Sequence, residues 1–120
     1  MNNVSLIGRI CNDLDLEEYG KGKNKGTVLR FTLAVPRVTN KEEENTDFIT
    51  CVAFNKSAEL IDEYYEKGDM LGIEGKIRTG SYEDKETGKK IYTTDVIVSQ
   101  LSFIPSESYY KEKFNKGGKK

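Results

Sequence analysis

The chain has 120 residues, 36% of them hydrophobic and 32% charged, with 19 Lys and Arg against 20 Asp and Glu for a formal net charge of −1. That length suits one domain burying about two-thirds of its unfolded surface, and no apolar run approaches the roughly 18 residues of a transmembrane helix. Histidine is absent, which removes Ser-His-Asp and Cys-His catalysis and any His-based zinc site.

Val4, Leu6, Gly8 and Ile10 alternate with Ser5, Ile7 and Arg9, a period of two that predicts a first strand. The same stretch lacks the apolar core of a signal peptide. Cys11 and Cys51 each stand alone in apolar settings and read as free, buried thiols of an intracellular protein. Residues 13–26 are polar and glycine-rich, a loop tipped by Lys21, Lys23 and Lys25. Its Gly20-Lys21-Gly22 is no phosphate loop, because no Gly-Lys-Ser/Thr ahead of a helix accompanies it. A second strand over 27–35 is rich in β-branched and aromatic residues and stops at Pro36. Residues 37–46, with Asn40 and the run Glu42-Glu43-Glu44, read as a loop. A third strand covers 47–54.

Ala58, Leu60, Ile61, Tyr64 and Tyr65 then recur at helical spacing, predicting a helix over 57–67 with Asn55 or Ser57 as N-cap and Gly68 as the stop. A fourth strand follows over 70–82, with Leu71, Ile73, Gly75 and Ile77 on one face. Residues 83–90 form a hairpin turn around Thr87-Gly88, and a fifth strand runs over 91–103. Three strands, one helix and two more strands fit an all-β, five-stranded Greek-key barrel of the OB-fold type, with the helix between the third and fourth strands. A mixed α+β sheet under one covering helix is the alternative arrangement.

The charge is unevenly spread. From Pro105 onward five lysines face two glutamates, so the body to Ile104 carries 14 basic and 18 acidic residues. Any anion-binding surface on it is therefore local. The domain is expected over 1–104, with 105–120 as a short, basic, disordered tail. No metal-ligand spacing, catalytic cluster or cofactor motif is legible, and the acidic runs read as solvated loop charges, so the expectation is a protein that is not an enzyme and holds no cofactor.

Two groups of residues point to a ligand. In the third strand Phe48, Thr50, Val52 and Phe54 share the face opposite the apolar Ile49, Cys51 and Ala53. Phe48 and Phe54 are thus outward aromatics, able either to stack nucleic-acid bases or to pack beneath a loop or helix. Tyr82 shares its face with Lys76 and Arg78, a row of cations leading to a ring. Such a row suits a phosphate backbone whose bases stack, although Glu83, Asp84 and Glu86 interrupt the basic run. Tyr64 and Tyr65 read as core or interface.

Five strings carry a resemblance: Phe31-Thr32-Leu33-Ala34-Val35, then residues 46–56 (TDFITCVAFNK), residues 63–68 (EYYEKG), residues 73–79 (IEGKIRT) and Tyr92-Thr93-Thr94-Asp95-Val96. In this order and spacing, across residues 1–104, the chain resembles the bacterial-type single-stranded DNA-binding protein family, phage members included. The resemblance implies an OB-fold homotetramer that binds single-stranded DNA without sequence preference in replication, recombination and repair, in the bacterial cytoplasm or a phage's host. It implies stacking by Phe48, Phe54 and Tyr82 and basic contacts from Lys56, Lys67 and Arg78. A further family aromatic falls near Thr39 and is missing, and two further basic positions fall at Gly80 and Ser81. The tail, ending Asn115-Lys116-Gly117-Gly118-Lys119-Lys120, departs from the acidic, aromatic-tipped end of cellular members, so recruitment of replication and repair enzymes through such a tip is not expected. Together these readings place bases on Phe48, Phe54 and Tyr82 and phosphates on Arg30, Lys56, Lys76 and Arg78, with the loops around Lys23, Arg37 and Lys89 closing over the strand. An OB-fold protein-interaction module of a replisome or primosome is the alternative function, and a nuclease the remote one.

Overall fold

The computed structural model describes residues 1–37 and 45–102. Six strands and one helix follow in the order β1 (Val4–Ile10), β2 (Glu17–Tyr19), β3 (Gly26–Pro36), β4 (Thr46–Phe54), α1 (Asn55–Tyr64), β5 (Met70–Glu83) and β6 (Lys90–Ser102). The hydrogen-bonded order is β1-β5-β6-β4-β3-β2, and β1 also pairs with β3. That last pairing closes five strands into a ring and leaves β2 as a flap on β3, so the expected five-stranded OB barrel is present. The helix follows the fourth strand rather than the third, because the segment expected to be a loop contains β2 and one 3₁₀ turn, Gly22–Asn24. A three-residue strand spans too little chain to show a period of two, and its three residues are all exposed.

Alternation decides what faces inward. Leu29, Phe31 and Leu33 of β3 meet Cys51 and Ala53 of β4, Leu71 and Ile73 of β5 and Val96 and Val98 of β6 in one core. Ala58, Ile61 and Tyr65 of the helical segment join it, with Tyr64 partly buried against it. The seam between β1 and β3 is short, with Arg9 opposite Ala34 and Ile10 opposite Leu33. Side chain and backbone extend it: the Cys11 N–H donates to the Thr32 carbonyl at 2.9 Å, and the Thr32 N–H donates to Asn12 Oδ1 at 2.7 Å. Gly8 makes the closure possible, since a Cβ there would lie 2.7 Å from the Ala34 carbonyl oxygen. Gly75 serves the same purpose on β5. A register shift falls between Glu74 and Gly75, and a Cβ at Gly75 would overlap the Ile97 carbonyl.

The helix departs from expectation at both ends. It begins directly after β4, with Phe54 as its extended N-cap residue and no side-chain cap bond. Asn55 stands at φ 52°, a left-handed conformation that asparagine tolerates. Its side-chain oxygen is not capping but accepts the Thr27 N–H at 3.1 Å. At the other end Tyr65 turns extended, three residues before Gly68, whose φ of 99° suits glycine and whose N–H donates to the Ile10 carbonyl at 2.9 Å. Both thiols are free, but only Cys51 is buried; Cys11 is half-buried. Among the described residues no helix is long and apolar enough to cross a membrane. The acidic run 42–44, Thr39, Asn40 and the tail lie outside the described residues.

Candidate nucleic-acid interface

Strand pairing fixes which side chains share the barrel's outer face. Across β3 and β4, Val28 faces Phe54, Arg30 faces Val52, Thr32 faces Thr50 and Ala34 faces Phe48. Val52 continues to Ile97 on β6, Ile97 to Lys76 on β5, and Arg78 pairs with Asp95 and Tyr82 with Ile91. Phe48, Phe54, Arg30, Lys76, Arg78 and Tyr82 therefore lie on one continuous surface spanning four strands. Its ends are the exposed rings, Phe48 at 69% and Tyr82 at 58%.

The middle of that face is apolar. Val28, Val52 and Ile97 are buried there as a second small cluster, with Phe54 packed against them. Alternation alone placed Val52 on the exposed side, and it does point outward; neighbouring strands and the Phe54 ring bury it. Phe54 is consequently half-buried, seated on a floor rather than standing free. The Arg78 guanidinium carbon lies 5.9 Å from its ring centroid, within cation–π range. On the other flank Tyr19 meets Phe54 edge to face, with centroids 6.2 Å apart and planes at 88°. The junction behind Phe54 is tied down: the Thr27 hydroxyl lies 3.3 Å from the Asn55 carbonyl and 3.2 Å from a Glu59 carboxylate oxygen.

Matches to known proteins converge on one group. A sequence model of the single-strand binding protein family fits residues 1–104. The chain belongs to that family. A single-stranded DNA-binding protein of Clostridium perfringens is 48% identical over 106 residues, covering 88% of this chain and 67% of its own length. Single-stranded DNA-binding protein 2 of Staphylococcus aureus is 37% identical over 93% of this chain and 79% of its own, and the Enterococcus faecalis protein 38% over 98% and 62%. The chain thus spans somewhat less than two-thirds to four-fifths of the length of these family members.

The remaining cations expected at the site, Lys56 and Lys67 from the resemblance and Lys23, Arg37 and Lys89 from the loops, are less uniformly placed. Lys56 is exposed in the first turn of α1, two residues beyond Phe54, and Lys89 is exposed at the hairpin tip, where the Asp84 N–H donates to its carbonyl at 2.8 Å. Lys23 lies in the 3₁₀ turn beside β2. Lys67 sits in the turn after α1, next to Gly68. Arg37 is already engaged: its Nη2 lies 2.6 Å from Asp47 Oδ1, and its Nε donates to both Asp47 oxygens at 3.0 and 3.1 Å. That paired contact holds the Asp47 carboxyl below its ordinary range and raises Arg37, chiefly through the hydrogen bonds. An arginine so committed has fewer donors to spare for a phosphate.

Two aromatics escaped the sequence reading. Tyr19 belongs to a strand too short to announce itself. Tyr92 is 74% exposed, pairs with Ser81 and so points away from Tyr82, with Lys90 Nζ 5.8 Å from its ring centroid. Its strand carries apolar residues in runs, Ile91-Tyr92 and Val96-Ile97-Val98, so no period of two gives its direction, and nothing in the pattern marks the hairpin as reaching beyond the barrel, where both faces meet solvent.

Proposed function

We propose that this chain binds single-stranded DNA without sequence preference, as a non-catalytic cytoplasmic protein of replication, recombination and repair. The strand crosses the outer face of β3, β4, β6 and β5. Phe48, Phe54 and Tyr82 take bases, and Arg30, Lys56, Lys76 and Arg78 take phosphates. Lys23, Arg37 and Lys89 stand on the segments flanking this path. The observation that carries the reading is the arrangement around Phe54: a ring seated on Val28, Val52 and Ile97, with Arg78 5.9 Å from its centroid. A fixed ring beside a cation offers a base and its phosphate what they need, without reading sequence. Base stacking of this kind is worth about 1–3 kcal/mol per base.

The acting form is a homo-oligomer, a tetramer built from dimers. Titration with oligo-dT, followed by tyrosine emission in a chain without tryptophan, tests the binding. Saturable quenching, similar for other base compositions, is expected, with log K falling linearly with log salt by about 0.7 per phosphate neutralised. Absence of quenching, or affinity independent of salt, overturns the proposal.

A further inference from the structure

We infer that Tyr19 is an additional base-contacting residue, carried to the edge of the DNA face by the β2 flap; this rests on the single-stranded DNA reading above. Tyr19 pairs with Gly26, and Gly26 precedes Val28 by two positions on β3. The three residues Tyr19, Gly26 and Val28 therefore share the outer face with Phe54. Tyr19 and Phe54 are separated by a whole strand, yet their rings meet at 6.2 Å. Gly26 is what allows it. A Cβ there would come within 2.5 Å of Tyr19 Cζ and hydroxyl oxygen, so the missing side chain opens a lane through which the tyrosine reaches across β3.

The ring is not consumed by this packing. Tyr19 remains 42% exposed, and its edge-on contact leaves a face for a planar partner. Glu17 occupies the same face opposite Val28 and is exposed. A carboxylate there disfavours a phosphate and leaves a base as the group Tyr19 can take. With Arg78 on one flank of Phe54 and Tyr19 on the other, the aromatic surface extends outward from the Phe54 floor toward β2.

The test compares oligo-dT affinity, salt slope and melting temperature of the full chain with Tyr19→Leu, Tyr19→Phe and Gly26→Ala. Leucine keeps apolar contact with Phe54 but removes the stacking face, so affinity should fall about five- to tenfold. Melting and salt slope should hardly move. Phenylalanine should recover the affinity. Alanine at Gly26 should displace the Tyr19 ring and reproduce the loss. Unchanged affinity for Tyr19→Leu in a protein whose parent binds oligo-dT overturns the Tyr19 assignment alone. A loss that only tracks reduced melting temperature overturns it too, showing packing instead. A parent that fails to bind oligo-dT sinks the underlying DNA reading.

Discussion

The three rings of the outer face differ in how much protein surrounds them, and that difference sets what their removal does. Phe48 and Tyr82 are mostly exposed, so alanine at either should leave thermal stability nearly intact while weakening single-strand affinity by about 1–3 kcal/mol. Phe54 rests on a buried apolar floor. Its alanine variant should lose affinity and also about 2 kcal/mol of stability, roughly half the cost of a fully buried Phe→Ala change. Melts and oligo-dT titrations on the same three proteins check both halves, and a stability loss larger for Tyr82 than for Phe54 would reverse the assignment. Cys51 shows burial acting on chemistry. Desolvation, aided by the charge of Asp95, pushes its thiol up to about 12 from a usual 9.0. Between those values the unfolded chain gives up a proton that the native state keeps, so stability should fall as pH rises from about 9 toward 12. The decline should be shallower in Cys51→Ala, measured by urea unfolding across that range.

At the scale of elements, the informative contact is the one that joins the end of β3 to the start of β4. The Arg37 N–H donates to the Asn45 carbonyl at 2.7 Å, and the Arg37 side chain holds Asp47. The two form an exposed pair, which contributes little to stability in water. Its carboxyl is depressed in the fold, so what the pair does contribute is present above the ordinary carboxylate pKa and fades as pH falls through the lowered one. Asp47→Asn should therefore barely change melting at neutral pH. It should release Arg37 toward phosphate, tightening oligo-dT binding and steepening the salt dependence by about 0.7 in slope, the increment of one more neutralised phosphate. An unchanged slope in the variant would mean that Arg37 lies off the DNA path.

On the scale of the whole molecule, the start of β1 is an open edge of the ring of strands. β1 pairs with β5 from Val4 to Arg9, but with β3 only at Arg9 and Ile10. Among the described residues the backbone of residues 4–7 thus pairs with no second strand, and Ile7 is 55% exposed. Open edges of this kind recruit another strand. An oligomer formed through this edge is the expected outcome. Light scattering at micromolar concentration should give a mass well above the 13.6 kDa of one chain, four times it for the tetramer. Pro replacing Ser5 or Ile7 should lower the mass if the edge is the contact, and a 13.6 kDa species in the parent protein would refute the assembly.

Alternation and turn chemistry pointed to five strands and one helix but left a barrel and a mixed α+β sheet both open; the pairing of β1 with β3 decided between them. The inward set Ile49, Cys51 and Ala53, the outward direction of Phe48 and Phe54, and the face Tyr82 shares with Lys76 and Arg78 follow from a period of two. The helix was visible in the spacing of Ala58, Ile61 and Tyr65. Local signals could not reveal what neighbours do to a side chain. Val52 points outward by periodicity and is buried because β6 brings Ile97 beside it. Asn55 has the chemistry of an N-cap, yet a strand distant in sequence claims its side chain. Arg37 is a free cation in the sequence and a paired one in the fold, because the ends of two strands bring Asp47 to it. Tyr19 reaches Phe54 only because Gly26 lies between them on another strand. Direction along a strand is a property of the backbone and is written locally. Burial and partnership depend on which strands pair, and only the closed barrel decides that.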